Sequence, residues 1–388
     1  MKKILLTILL TSALGAKAQS VNNTSTFSFS SGASSTGWIN FDFYNNNRIY
    51  IPASINGHQV MVMLITLIQT SSMDYDLAAS IGLQPKAGDT SRKTVGVNIE
   101  FGNLTLHNVN TSIRKPAQAN QGAGRTIPYL LGDGLLNQLA VDIDFANHRI
   151  AFLDPAGLKK PVDAAEVPVV LTMGHRTVPV SIEGAPPGQF ELGLGNSAPF
   201  LIYQTYYEKY KLLEHRPKSL RQGGGGAGPF PIEPVATMGS AQFAGVDFSN
   251  LPGALIPDSL RRDEPRQLAG DIGIPILSRF HLIIDYSHDR LYATPYSDAK
   301  STPFVKDRLG LVLAKQDSSI EVKFVSPGSP AQTAGFKTGD RITQINQKPV
   351  KALEDSEILN LRYAPMGTTF IFTMDDGSRR QVRLADFF

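Results

Sequence analysis

"LLGDGLLNQLAVDIDFANHRIAFLDP" (residues 130–155) returns in outline as "DIGIPILSRFHLIIDYSHDRLYATP" (residues 271–295). Each copy has an apolar-Gly step, a short helical run, an alternating strand ending in Asp, a turn with His, and a last strand before Pro. Alternation of apolar and polar residues marks a half-buried strand. A spacing of roughly 140 residues is too long for a stacked repeat and suits a duplicated all-β domain.

The sequence upstream of each copy is similar in kind. From Trp38 to about Leu153 it offers short strand-like runs, "RIYIPASING", "HQVMVML" and "VNIEFGNLTLHNVNTSI", broken at Asn56-Gly57 and Gly102-Asn103. From about Val167 the order returns as "PVVLTMGHRTVPVSIEG" and "GQFELGLGNSAPFLIY". Tyr203, Tyr206, Tyr207 and Tyr210 then have helical spacing, which predicts a helix packed on the sheet. We therefore expect one half over residues 38–160, a second over 161–298, and a compact third unit over 305–388 beyond a linker.

The N-terminus, "MKKILLTILLTSALGAKAQS", has two Lys, an apolar run and the small-x-small triplet Ala16-Lys17-Ala18, the pattern of a signal peptide over residues 1–18. Residues 19–37, rich in Ser, Thr and Asn, read as a flexible leader. The expected protein is exported, periplasmic or secreted, with no membrane anchor, because no other run approaches ~20 apolar residues. Of 37 basic residues three lie in the signal, which leaves 34 against 34 acidic ones. Such neutrality argues against nucleic acid as a partner. With no Cys, the fold has no disulfide and no thiolate metal site.

The duplicated halves resemble the lobes of retropepsin/pepsin-like aspartic peptidases, and the resemblance covers about 270 residues. It rests on a strand, turn, strand, loop and helix, followed by an apolar-apolar-Gly element, Leu130-Leu131-Gly132 in one half and, imperfectly, Asp271-Ile272-Gly273 in the other. It implies a mainly β chain of two duplicated lobes. The family reads Asp-Thr/Ser-Gly at the end of its first landmark strand. This chain reads "LITLIQ" (64–69) and "LGLGNS" (192–197), which places Ile65 and Gly193 at the two catalytic Asp positions. Two adjacent carboxylates share a proton, so that one serves as base on water and the other as acid. An Ile and a Gly can do neither, and the dyad is degenerate. Leu67 and Ile68 stand where small residues belong, which predicts a cleft filled by apolar side chains.

Other acids fit other roles. Asp133 and Asp271 occupy non-equivalent positions of the repeat, so they are poor candidates for a two-fold dyad. Asp74 and Asp76 read as helix N-terminal residues, and Asp144 and Asp285 as turn formers. The seven His are scattered without metal-ligand spacing. "GGGGAG" (223–228) lacks the Lys-Ser/Thr of a phosphate loop and reads as a loop of the second half. No cofactor is expected.

"DRLGLVL" (307–313) and "VSPGSPAQTAGFKTGDRITQIN" (325–346) resemble a PDZ domain, a small β-sandwich or barrel with two helices. The resemblance implies that the backbone N–H groups of Leu309, Gly310 and Leu311 receive a peptide's terminal carboxylate. Arg308 would add charge, and Leu309, Leu311 and Leu361 would line an apolar pocket. The implied partners are peptide or protein C-termini, bound as an added strand beside a helix within residues 352–364. Three functions stay open: a peptide-binding protein that has lost aspartic protease catalysis, an active aspartic endopeptidase of the envelope with a non-standard acid set, and a structural role. The sequence leaves the oligomeric state open.

Overall fold

The structure, a computed structural model, describes residues 25–83, 94–114, 125–222, 232–261 and 267–388. The expected signal peptide, the start of the leader and the Gly-rich segment 223–228 lie outside the described residues.

In the first lobe, Arg48–Ile55 and His58–Leu64 form a hairpin over Asn56 and Gly57, whose φ values of 47° and 83° belong to the tight turn that Asn-Gly favours. His58–Leu64 then runs parallel to Tyr129–Leu131, and Ser71–Asp74 runs antiparallel to the same short strand. The third strand is thus threaded between two strands joined by loop 65–70. The second lobe repeats this arrangement. Gly188–Gly193 is parallel to Gly270–Gly273, Phe200–Tyr203 is antiparallel to it, and loop 194–199 joins the outer pair.

A six-stranded antiparallel sheet ties the lobes together. The hairpin Ala140–Asp144/Arg149–Leu153 meets the hairpin Phe280–Asp285/Arg290–Pro295 at the pairs Val141–Ile284, Asp142–Ile283 and Ile143–Leu282. The two copies of the repeat quoted first are therefore neighbours across a pseudo-two-fold axis. One apolar core runs through both lobes and includes Val141, Ile143, Leu282 and Ile284. Among the described residues no helix is long and apolar enough to cross a membrane.

The leader differs from the sequence expectation in its described part. Thr26–Phe29 pairs with residues 104–107, and Phe27 and Phe29 pack on the core at the period of a strand. The linker differs too. Phe304 is buried beside Phe248, with the Arg279 guanidinium stacked on its ring, so this part of the connection belongs to the lobe core.

The third unit is a separate sheet, Leu311–Lys315, Ile320–Val325, Arg341–Ile345, Thr369–Met374 and Arg379–Arg383, with its own core around Val322, Ile342 and Phe372. Ser329 caps the short helix Pro330–Thr333, with Pro at the first turn where its missing N–H costs nothing. Glu354 and Glu357 form a capping box on the second helix, Asp355–Asn360. The unit is anchored to the second lobe. Ser219 Oγ donates to Pro327 O at 2.6 Å, Lys306 Nζ to Asn250 Oδ1 at 2.8 Å, and Thr237 Oγ1 to Phe388 O at 2.9 Å.

Candidate functional site

Loops 65–70 and 194–199 face each other across the lobes. Thr66 is buried, and its Oγ1 donates to Leu192 O while accepting from Leu194 N at 2.9 Å. One hydroxyl from the first lobe thus satisfies two buried backbone groups of the second. Leu194, at the matching place in the second lobe, has no hydroxyl to return the bond and is turned into the core.

The loops are held by equivalent bonds from behind. Asp133 N donates to Ile68 O at 2.9 Å, and Ile274 N to Asn196 O at 3.0 Å. This correspondence makes Ile65 the equivalent of Gly193 and Thr66 the equivalent of Leu194. The half-buried Ile65 lies against Gly195, where an added Cβ would come within 2.6 Å of Ile65 Cγ1. A Cβ on Gly193 would lie 3.0 Å from Asn196 Cβ and 3.1 Å from Ile272 O. The atoms nearest these two glycines are thus the Ile65 side chain, Asn196 Cβ and the Ile272 backbone.

The groove in front of the loops is nevertheless open, contrary to the filled cleft expected from Leu67 and Ile68. It has a volume of about 1790 Å³ and reaches from Ile65, Leu67 and Ile68 past Asn45–Arg48 to Val312 and Leu313 of the third unit. Leu194 points inward and Ile65 packs on a glycine, so their bulk does not block it.

Four acids named from the sequence have settled partners. Asp74 Oδ1 caps its helix by accepting from Leu77 N at 2.8 Å. Asp144 accepts from Asn147 N at 3.2 Å, and Asp285 from His288 N at 3.3 Å, both as turn residues. Asp271 accepts from the Tyr203 hydroxyl at 2.9 Å.

Asp133 differs from these. It lines the groove but is buried, and burial pushes its pKa up to about 7, against the smaller opposing pull of His175 and Arg176. His175 Nδ1 lies 3.1 Å from Glu191 Oε1, so this corner gathers three titratable groups that the sequence did not connect. The protonated form of Asp133 is the one the fold favours. Its contribution to stability is full below its unfolded value near 3.8 and is lost as the pH rises through about 7. Asp133→Asn should therefore stabilise the protein at pH 8 by roughly 1–3 kcal/mol and change little at pH 4. Denaturant titrations at the two pH values check this, and equal effects at both would contradict it.

Most of the residues expected to bind a peptide in the third unit have partners within the chain itself. Leu309 and Leu311 are core residues, and Leu361 is half-buried against the same core. Arg308 Nε donates to Asp386 Oδ1 at 2.8 Å. Gly310 has φ +77°, and a Cβ there would lie 2.2 Å from Ser329 Cβ, so glycine is required twice over. The donors Leu309 N and Gly310 N are bonded to Asp307 Oδ1, at 2.9 and 2.8 Å. The groove is instead lined by Val312, Leu313, Leu359 and Tyr363. A legible signal existed for Asp307, since an Asp commonly accepts from the N–H groups two and three residues on.

Residues 301–364 match the PDZ domain family. Among solved structures, a retropepsin-like aspartic protease from Rickettsia conorii is 13% identical, with 33% of this chain and 93% of that chain covered and a TM-score of 0.24. An aspartic proteinase from Irpex lacteus is 12% identical, with 69% of this chain and 99% of that chain covered and a TM-score of 0.41. No curated protein matches the chain. Among the described residues no group of three His, Cys, Asp or Glu could hold a metal ion.

Proposed function

We propose that the chain is an exported polypeptide-binding protein that has lost aspartic protease catalysis. The carrying observation is that Ile65, which holds the loop place equivalent to Gly193, packs on Gly195 in the lining of an open groove. A surface able to receive an extended chain remains, while the shared-proton pair that would activate water is replaced by an aliphatic side chain and a hydrogen. Export is supported by the composition of residues 1–18, with the mature protein in the periplasm or outside the cell. The PDZ unit supports protein binding, and its edge strand Leu311–Lys315 opens onto the same groove.

A second reading, an active endopeptidase with a non-standard acid set, is favoured by one observation. Asp133 has a pKa raised to about 7 and lines the groove near the His175–Glu191 pair. The two readings separate on what happens to a captured peptide. The full chain incubated with a mixed peptide library should retain a subset at about micromolar strength and release it uncut, as read by mass spectrometry. Absence of any retained peptide overturns the binding reading.

A further inference from the structure

Asp307 and its partners set the kind of polypeptide that the PDZ groove accepts, an inference that rests on the binding function proposed above. Asp307 Oδ1 accepts from both Leu309 N and Gly310 N, at 2.9 and 2.8 Å, and Arg362 Nη1 stands 3.5 Å from Oδ2. A carboxylate of the chain itself thus occupies two of the three N–H donors expected to receive a ligand's terminal carboxylate. A second anion at that place would find those donors taken and would meet a like charge. The nearest cations are committed as well. Arg308 is paired with Asp386, and Arg362 Nη2 donates to Leu311 O at 2.6 Å.

What remains available is the strand beyond that point. Leu311–Lys315 lies at the edge of its sheet and, among the described residues, pairs as a strand only with Ile320–Val325. An edge strand is a template for a further strand, which it holds by main-chain hydrogen bonds. Val312, Leu313 and Leu359 give this edge an apolar flank, and Ile65, Leu67 and Ile68 of the first lobe line the same groove. A ligand that ended at Asp307 would use only one end of this groove, whereas a continuing chain can lie along all of it.

We propose that the PDZ groove takes an internal, extended, apolar segment of a polypeptide and that Asp307 stands in for the terminal carboxylate. A free C-terminus is then not required for recognition.

The test uses the full chain and peptides retained from the library, each made with a free C-terminus, with an amidated C-terminus, and embedded in the middle of a longer peptide. Fluorescence anisotropy should give affinities for the three forms within about twofold of one another. In Asp307→Ala, with its two donors released, the free-carboxylate form should gain about tenfold over the amidated form. Loss of about tenfold on amidation with the native protein would overturn the inference while leaving polypeptide binding intact. An unchanged ratio in a folded Asp307→Ala protein would also overturn it. Failure of all three forms to bind would instead count against the binding function itself. The comparison on the native chain needs no variant, so a poorly folding Asp307→Ala does not remove the test.

Discussion

Gly273→Ala will not yield a native second lobe. The backbone of Gly273, at φ −102° and ψ 175°, is open to any residue, so dihedral strain is not the cause. The cause is contact. A methyl built on Gly273 would lie 1.9 Å from Ala198 O and 2.8 Å from Asn196 O, both rigid backbone atoms of loop 194–199. To admit it, the loop must leave the strand and give up the bonds Gly273 N to Pro199 O and Ile274 N to Asn196 O, at 2.9 and 3.0 Å. The expected cost is more than about 4 kcal/mol, in the range reserved for overpacked cores and broken buried networks. Gly157→Ala is the control, because nothing lies within 4 Å of the added methyl, and it should stay within about 0.5 kcal/mol of the native chain. Denaturant unfolding of the two variants reads the difference, and similar midpoints would refute the threaded arrangement of the second lobe.

Thr66→Val comes next in size. The two side chains have nearly the same shape, but Val has no hydroxyl and leaves Leu192 O and Leu194 N without their cross-lobe partner in a buried place. Leaving buried polar groups unpaired costs each roughly 1–3 kcal/mol, so a loss of about 2–6 kcal/mol is expected for the two. Thr66→Ser keeps the hydroxyl and should lose less than about 1 kcal/mol. Equal losses for Val and Ser would mean that Thr66 matters for its methyl group and not for the bonds between the lobes.

Much of this architecture is legible in the sequence, for local reasons. Alternation reveals the strands of both halves, Asn56-Gly57 announces its hairpin, and Asp74 announces its cap. Tyr206 and Tyr207 do pack inside, on the helix Gln204–Lys209 that their spacing indicates. The strand Thr26–Phe29 was hidden by its Ser-rich surroundings, although Phe27 and Phe29 alternate, because an edge strand is only half buried and its signal is weak.

The site was less legible, because its character depends on direction. The bulk of Ile65, Leu67 and Ile68 predicts a filled cleft only if those side chains point into it, and the sequence does not say that Ile65 rests on Gly195. Leu309 and Leu311 look like pocket residues in the sequence, and both belong to the core of the third unit. The cluster of Asp133, His175 and Glu191 joins residues from both lobes, and no spacing along one chain segment could announce it.

The most direct test is the fate of a peptide in the groove. Pure protein is incubated with its retained peptides across about pH 3 to 7, with and without a pepsin-type inhibitor, and the products are weighed. On the proposed function, which sets Ile65 and Gly193 at the dyad positions, the peptides should remain whole at every pH. Cleavage by the native chain that disappears in Asp133→Asn would show that another acid has taken over the chemistry, and would contradict a groove that binds without cutting.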